Sequence, residues 1–265
     1  MGAGRMATAL ARGLVQAETV PATAIVATDP SVEARNVFAG EVPGAVVEAD
    51  IASQVAQTDV IFLAVKPQQI GPALASLRDA IRPQSLVVSI AAGITIERIA
   101  DALPAGQRIV RVMPNTPCLI GRGVSGYSLG EHATAADGKL VATLLSAVGA
   151  AFEVPEGSLD AVTGLSGSGP AFVYSMIEAL AEGGIAAGLP AELASELAMR
   201  TAAGAAEMVL QTGETPAVLR DRVTSPGGTT VAGLGVLTER GFKDAIVEAV
   251  QAAARRSAEL GQSTK

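Results

Sequence analysis

The sequence predicts an α/β domain built on a parallel, doubly wound sheet, followed by an all-helical domain. Three observations carry this. Short apolar runs alternate with helix-like runs between residues 24 and 113, which is how a parallel sheet with crossover helices reads. A glycine pattern, Gly2-x-Gly4-x-x-Ala7, opens a helix-like segment as a dinucleotide-binding turn does. After Pro155 the strand signal fades, and residues 156–265 read as successive Ala-, Leu-, Val- and Met-rich helices. The expected division is therefore 1–155 for nucleotide binding and 156–265 for a helical domain.

In the glycine turn the first Gly permits the tight bend. The second lets backbone approach a pyrophosphate, and Ala7 allows close helix packing. A helix runs on to about residue 16. Such a turn normally follows a β-strand, yet only Met1 precedes Gly2, so this reading expects a sequence shortened at its amino end. Residues 24–29 form a short strand ending in Asp29, with Ser31 and Arg35 beyond it. An acid there accepts from an adenosine ribose, whereas Ser and Arg suit a 2′-phosphate, so NADPH and NADH both remain open. Residues 45–47 read as a further short strand.

Residues 59–65 make a continuous apolar strand stopped by Lys66-Pro67, and Pro67 begins a helix to about residue 80. Residues 85–90 form another buried strand, ending at Ala91-Ala92-Gly93, where small residues let a flat cofactor lie close. A helix over 95–103 and a strand over 108–113 follow, the latter ending in Pro114-Asn115-Thr116-Pro117. A strand at 124–129, a helix over 135–148 and a strand at 151–154 complete the first half. The second half opens with a long helix over 160–189, interrupted at 164–170 by Gly, Ser and Pro170. Helices from Pro190, from Thr215, after Gly228 and from Phe242 complete it.

Composition narrows the function classes. A chain of 265 residues with net charge −7 gives nucleic acid no electrostatic footing. The single cysteine, Cys118, cannot form an internal disulfide, which fits a reducing cytoplasm. No apolar run reaches membrane-spanning length without Pro, Gly or charge. His132, the one histidine, sits in a polar turn, and no metal site is expected around it. The apolar helical faces call for a partner, so a helical dimer interface is expected.

One stretch carries chemistry: Thr224-Ser225-Pro226-Gly227-Gly228-Thr229-Thr230, leading into a helix. Backbone donors at a helix start, hydroxyls, and no bulky side chain suit a small carboxylate, although an ordinary capped helix reads the same way. Together the motifs carry a wider resemblance. Gly2-Ala3-Gly4-Arg5-Met6, Ala64-Val65-Lys66-Pro67, Val112-Met113-Pro114-Asn115-Thr116-Pro117, Ala161-Val162-Thr163-Gly164-Leu165-Ser166-Gly167-Ser168-Gly169-Pro170-Ala171-Phe172 and Val223-Thr224-Ser225-Pro226-Gly227-Gly228-Thr229-Thr230 occur in that order. The whole chain resembles the pyrroline-5-carboxylate reductase family.

That resemblance implies a Rossmann-type domain followed by a helical dimerisation domain, in a homodimer or a ring of dimers. It implies reduction of 1-pyrroline-5-carboxylate to L-proline with NADPH or NADH, the last step of proline biosynthesis. It places Ser225, Gly228, Thr229 and Thr230 on the substrate, with Thr230 as the catalytic candidate at the ring nitrogen. Glu156 matches a position at the proline site. Gly2, Ala3, Gly4, Arg5, Met6, Asp29 and Ser31 fall on the phosphate and adenosine side of the cofactor. Ala64, Val65, Lys66, Pro67, Ala91, Ala92 and Asn115 fall on the nicotinamide side. The chain departs from the family pattern at Asp29, where many members carry a neutral or basic residue. It also reads Asp50-Ile51-Ala52 where the family often has Asn.

The bare chemistry agrees, because hydride addition to an iminium needs no nucleophile, metal or strong base, only orientation and a carboxylate anchor. A β-hydroxyacid dehydrogenase, or another imine dehydrogenase of this architecture, is the main rival. The former typically uses a lysine on the long interdomain helix, and none lies between 160 and 189. A non-catalytic nucleotide sensor would have no use for Ser225, Thr229 and Thr230.

Overall fold

The computed structural model describes residues 1–50 and 52–263; Ile51, in the segment where Asn was expected, and Thr264 and Lys265 lie outside the described residues. The chain packs as two compact units, Met1–Ser168 with Gln251–Lys265, and Gly169–Val250.

The first unit alternates helix and strand as α1 (Arg5–Gln16), β1 (Val26–Thr28), α2 (Val32–Glu41), β2 (Val46–Glu48), α3 (Ala52–Val55) and β3 (Val60–Leu63). It continues with α4 (Ile70–Arg78), β4 (Leu86–Ser89), α5 (Ile96–Ala102), β5 (Arg108–Met113), β6 (Gly123–Leu129), α6 (Ala135–Ser146), β7 (Gly149–Glu153) and α7 (Leu159–Val162). β1 pairs with β2, and β3 through β7 pair in sequence order. Leu86 sits opposite both Val60 and Arg108, in parallel register.

Where the central strand is expected, Met1 and Gly2 bridge β1 and β3. Gly2 N–H donates to Thr28 O at 2.8 Å, on the β1 side. On the β3 side the Met1 nitrogen donates to Phe62 O at 2.7 Å and Met1 O accepts from Ala64 N–H at 2.8 Å. These bonds join the two sheets in the order of a dinucleotide-binding fold, with the order reversing at the bridge.

Alternation along the strands gives the sheet two buried faces. Leu63, Val87 and Ile109 pack with Leu74, Leu77 and Ile99 of α4 and α5. Leu86, Val88, Val110 and Val112 pack with Leu10, Val141 and Leu145 of α1 and α6. The sheet departs from an all-parallel reading at β6, which runs antiparallel to β5. Residues 114–122 hold only the short 3₁₀ turn Thr116–Ile120, too short for a crossover back to the same edge.

The break expected near Pro170 is a π-helical turn, Thr163–Gly167, after which α8 (Gly169–Ala186) starts afresh. Gly167 lets this turn lie against the sheet, since a Cβ there would sit 2.8 Å from Met113 Cε. The second unit holds α8, α9 (Ala191–Thr212), α10 (Pro216–Arg222), α11 (Thr229–Glu239) and the start of α12 (Phe242–Ser263), whose last turns belong to the first unit. Within it α8 packs on α9, and Gly184 lets Ala194 come close. No residue of α8, α10 or α11 is buried, and Tyr174, Leu180, Leu197 and Met208 stand exposed.

Candidate active site

The glycine turn is built as its pattern demands. Gly2 has φ +91°, and a Cβ there would meet Ala64 O at 2.6 Å, so this position excludes any side chain. At Gly4 a Cβ would meet nothing within 4 Å, leaving that face open to a ligand. Gly4 is also the N-cap of α1, which has no side-chain cap and no acid in its first turn. Its free N–H groups and dipole form a ready anion site.

This turn borders a cavity of about 460 Å³ at the carboxyl ends of β1 and β3, where ligands of open α/β sheets bind. Gly2, Gly4, Asp29, Ala64, Val65 and Lys66 line it, the last bringing a positive charge. Arg5 is exposed at the start of α1, while Met6 is half-buried and packs on the core under the sheet. Pro67 starts the 3₁₀ turn Pro67–Gln69 that leads into α4.

Asp29 holds the turn together. Its Oδ2 accepts Ala3 N–H at 3.0 Å and its Oδ1 accepts Ser31 N–H at 2.9 Å. Ser31 caps α2 by accepting Ala34 N–H at 3.3 Å, and Arg35 donates to Asp29 O at 2.6 Å. Asp29, which the sequence reading assigned to the ribose, is here a clamp across the glycine turn.

Ala91 is buried and Ala92 exposed at the end of β4, with Ala91 N–H donating to Ser89 Oγ at 3.3 Å. The Asn115 amide is engaged internally: Nδ2 donates to Ser166 O at 3.0 Å and Oδ1 accepts Val124 N–H at 2.8 Å. Glu156 Oε1 accepts both Ile96 N–H at 2.8 Å and Arg111 Nη1 at 3.0 Å. Cys118 is buried, and that burial raises its thiol pKa, so it is a packing residue.

In the second unit, Ser225 O accepts Gly228 N–H at 2.9 Å across Pro226-Gly227, and Gly227 has φ +71°. Pro then Gly at the two central positions make this a type II turn. Gly228 is the N-cap of α11 and offers no side-chain cap, and the first turn holds no acid. Among the described residues the hydroxyls of Ser225, Thr229 and Thr230 make no hydrogen bond, so an uncapped helix start and three unused hydroxyls share one exposed turn. The bidentate Arg222–Glu214 pair, both contacts 2.5 Å, ties the helix before this turn to the loop preceding it.

Sequence reasoning missed the α4 side of the cavity, where Gln69, Pro72, Ala73 and Ser76 line it. Their three- and four-residue spacing was the available signal, since such positions share a helix face. It also missed Arg111, a cation inside an apolar strand run. Among the described residues no three His, Cys, Asp or Glu side chains gather as a metal would need. Nor is any described helix long and apolar enough to cross a membrane.

Comparison with known proteins adds the following. Residues 156–260 match the family described as pyrroline-5-carboxylate reductase dimerisation. Residues 1–93 match NADP oxidoreductase coenzyme F420-dependent. A pyrroline-5-carboxylate reductase of Arabidopsis thaliana is 46% identical over 265 residues, covering 99% of this chain and 95% of that protein. The structure of a Coxiella burnetii pyrroline-5-carboxylate reductase is similar with TM-score 0.91 and 35% identity, over 98% of this chain and 96% of that one. A Plasmodium falciparum pyrroline carboxylate reductase solved with NADP bound is similar with TM-score 0.87 and 32% identity, over 98% and 96% of the two chains.

Proposed function

The chain belongs to the pyrroline-5-carboxylate reductase family, and from that premise we propose how its residues serve the reaction. It is an NAD(P)H-dependent oxidoreductase that reduces 1-pyrroline-5-carboxylate to L-proline, the last step of proline biosynthesis. The observation that carries this is 46% identity over almost the whole chain, with the Ser225 to Thr230 turn intact. Bound NAD(P)H would supply the hydride that saturates the imine carbon, while the ring nitrogen, protonated from water as the iminium, keeps that proton as the amine.

The chain's own residues hold and orient. Gly2, Ala3, Gly4, Arg5 and Met6 form the pyrophosphate turn; the open face at Gly4 and the uncapped start of α1 support this. Asp29 and Ser31 serve the adenosine side, and Ala64, Val65, Lys66, Pro67, Ala91, Ala92 and Asn115 the nicotinamide side. The cavity shared by Asp29, Ala64, Val65 and Lys66 supports these roles, and small Ala91 and Ala92 leave room at the β4 end. Because the Asn115 amide is already engaged, its part is to set the β5 end rather than to reach out.

Ser225, Gly228 and Thr229 anchor the substrate carboxylate at the start of α11, and Thr230 hydrogen-bonds the ring nitrogen. Glu156 serves the substrate side through Oε2, since Oε1 is already shared by Arg111 and Ile96. Residues 156–265 form the dimerisation domain of a homodimer or ring of dimers, which the exposed apolar faces of α8 to α11 favour. The reaction belongs to the cytoplasm, in keeping with a lone cysteine.

The deciding experiment follows loss of the reduced-nicotinamide absorbance with 1-pyrroline-5-carboxylate, using NADPH and NADH side by side. Substrate-dependent oxidation with at least one cofactor is expected. None with either overturns the proposal.

A further inference from the structure

The geometry points to Arg111 as a positioning residue for the loop between β4 and α5, acting through Glu156. The inference rests on the reading above that Ala91 and Ala92 lie on the nicotinamide side.

Arg111 stands between Val110 and Val112 in β5 and is 7% exposed. Its Nη1 donates to Glu156 Oε1 at 3.0 Å. That same oxygen accepts the N–H of Ile96, the first residue of α5, at 2.8 Å. The first N–H groups of a helix have no partner inside it. Thr95 satisfies one by accepting Arg98 N–H, and Glu156 satisfies another. The carboxylate therefore pins the far end of the loop, at the point where α5 begins.

Two further contacts hold the same loop. Ala91 N–H is tied to Ser89 Oγ at its near end. In its middle Gly93 turns with φ +73° against α12, where a Cβ on Gly261 would sit 3.1 Å from Gly93 O. Glu156 and Gly261 both come from the sequence beyond the last strand, so the loop is set by residues far from it in the chain.

An ion pair with one buried partner is a poor source of stability, because desolvation of the buried charge offsets much of its attraction. An apolar side chain at 111 would fill this strand with less desolvation. What the cation does is hold Glu156 in one place. Without it, a carboxylate that is already 32% exposed turns to water and releases Ile96.

The test uses the full chain with Arg111→Met, Arg111→Lys and Ala92→Val. It measures hydrogen exchange along 91–98 and the Kd for NADPH by fluorescence. In Arg111→Met, exchange along 91–98 should quicken while β1 and α2 stay protected, and the Kd should rise roughly tenfold, within the usual range of site-to-site coupling. Arg111→Lys keeps a cation and should recover most of both. If Arg111→Met fails to fold, Glu156→Gln, which keeps an acceptor for Ile96 but drops the charge facing Arg111, should show the same two changes more weakly. Unchanged protection along 91–98 overturns the proposal, as does faster exchange with an unchanged Kd. If Ala92→Val weakens NADPH and Arg111→Met does not, the loop's place at the cofactor stands and only the role of Arg111 falls. If Ala92→Val is silent, the loop reading fails and the proposal falls with it.

Discussion

Ser225 and Thr230 share a turn but should fail differently when altered. The substrate carboxylate keeps its charge throughout the reaction, so a donor to it binds ground and transition states alike. Ser225→Ala removes one charge-assisted hydrogen bond, about 1.5–3 kcal/mol, and the loss should fall on KM. The ring nitrogen loses its iminium character as hydride arrives, so Thr230→Val should lower kcat instead. Steady-state kinetics on both variants checks this; full activity in Thr230→Val would reduce the turn to a helix start. Asp29 accepts Ala3 and Ser31 N–H, and at the ribose position proposed for it the carboxylate would also repel a 2′-phosphate. Asp29→Ser should raise the NADPH/NADH ratio of kcat/KM about tenfold, or ~1.4 kcal/mol, while both absolute values fall as the clamp is lost. A ratio that does not move would place Asp29 away from the ribose.

At the scale of elements, the turn into α1 separates folding from binding. Gly2→Ala forces a side chain to φ +91° and into Ala64 O at 2.6 Å, so it should lower Tm by several degrees. Gly4→Ala meets nothing within 4 Å, so Tm should hold while cofactor Kd rises. Equal Tm losses in the two variants would contradict this division. The β6–β7 pair makes a pH-dependent contribution. Burial raises the Tyr127 phenol above its ordinary pKa of 10.0, and the Glu153 carboxylate adds to the shift. A folded-state pKa above the unfolded one stabilises the fold at lower pH, and that stability is lost as pH rises through the folded value. Thermal melts from pH 8 to 11 should therefore show a steep alkaline fall in the wild type and a flatter one in Tyr127→Phe.

For the whole molecule, the second unit lacks a core of its own. Only Ala194 and Ala198 are buried along α9, and Leu180 and Leu197 stand 48% and 46% exposed. Apolar area of that extent calls for a partner, and the dimer proposed above would cover it with a second copy. Light scattering at micromolar concentration should report a dimer or a multiple of one, and Leu180→Glu should shift it toward monomer with a lower Tm. A well-behaved wild-type monomer would sink the dimer.

The succession of strands and helices, the glycine turn and the Pro226-Gly227 turn before α11 were legible in the sequence because each is local. Periodicity records which side of an element is buried, and Gly2 and Gly227 mark positive φ wherever the chain goes. The direction of β6, the division into units at Ser168 and Gln251, and the partners of Asn115, Asp29 and Glu156 were not legible. Arg111 and Glu156 are 45 residues apart, and nothing near either one names the other. Local sequence determined which elements form and how their turns are shaped, since those depend on backbone preference and side-chain size close at hand. Only the tertiary structure decided which charges meet, because a salt bridge between distant residues exists solely where strand order brings their side chains together.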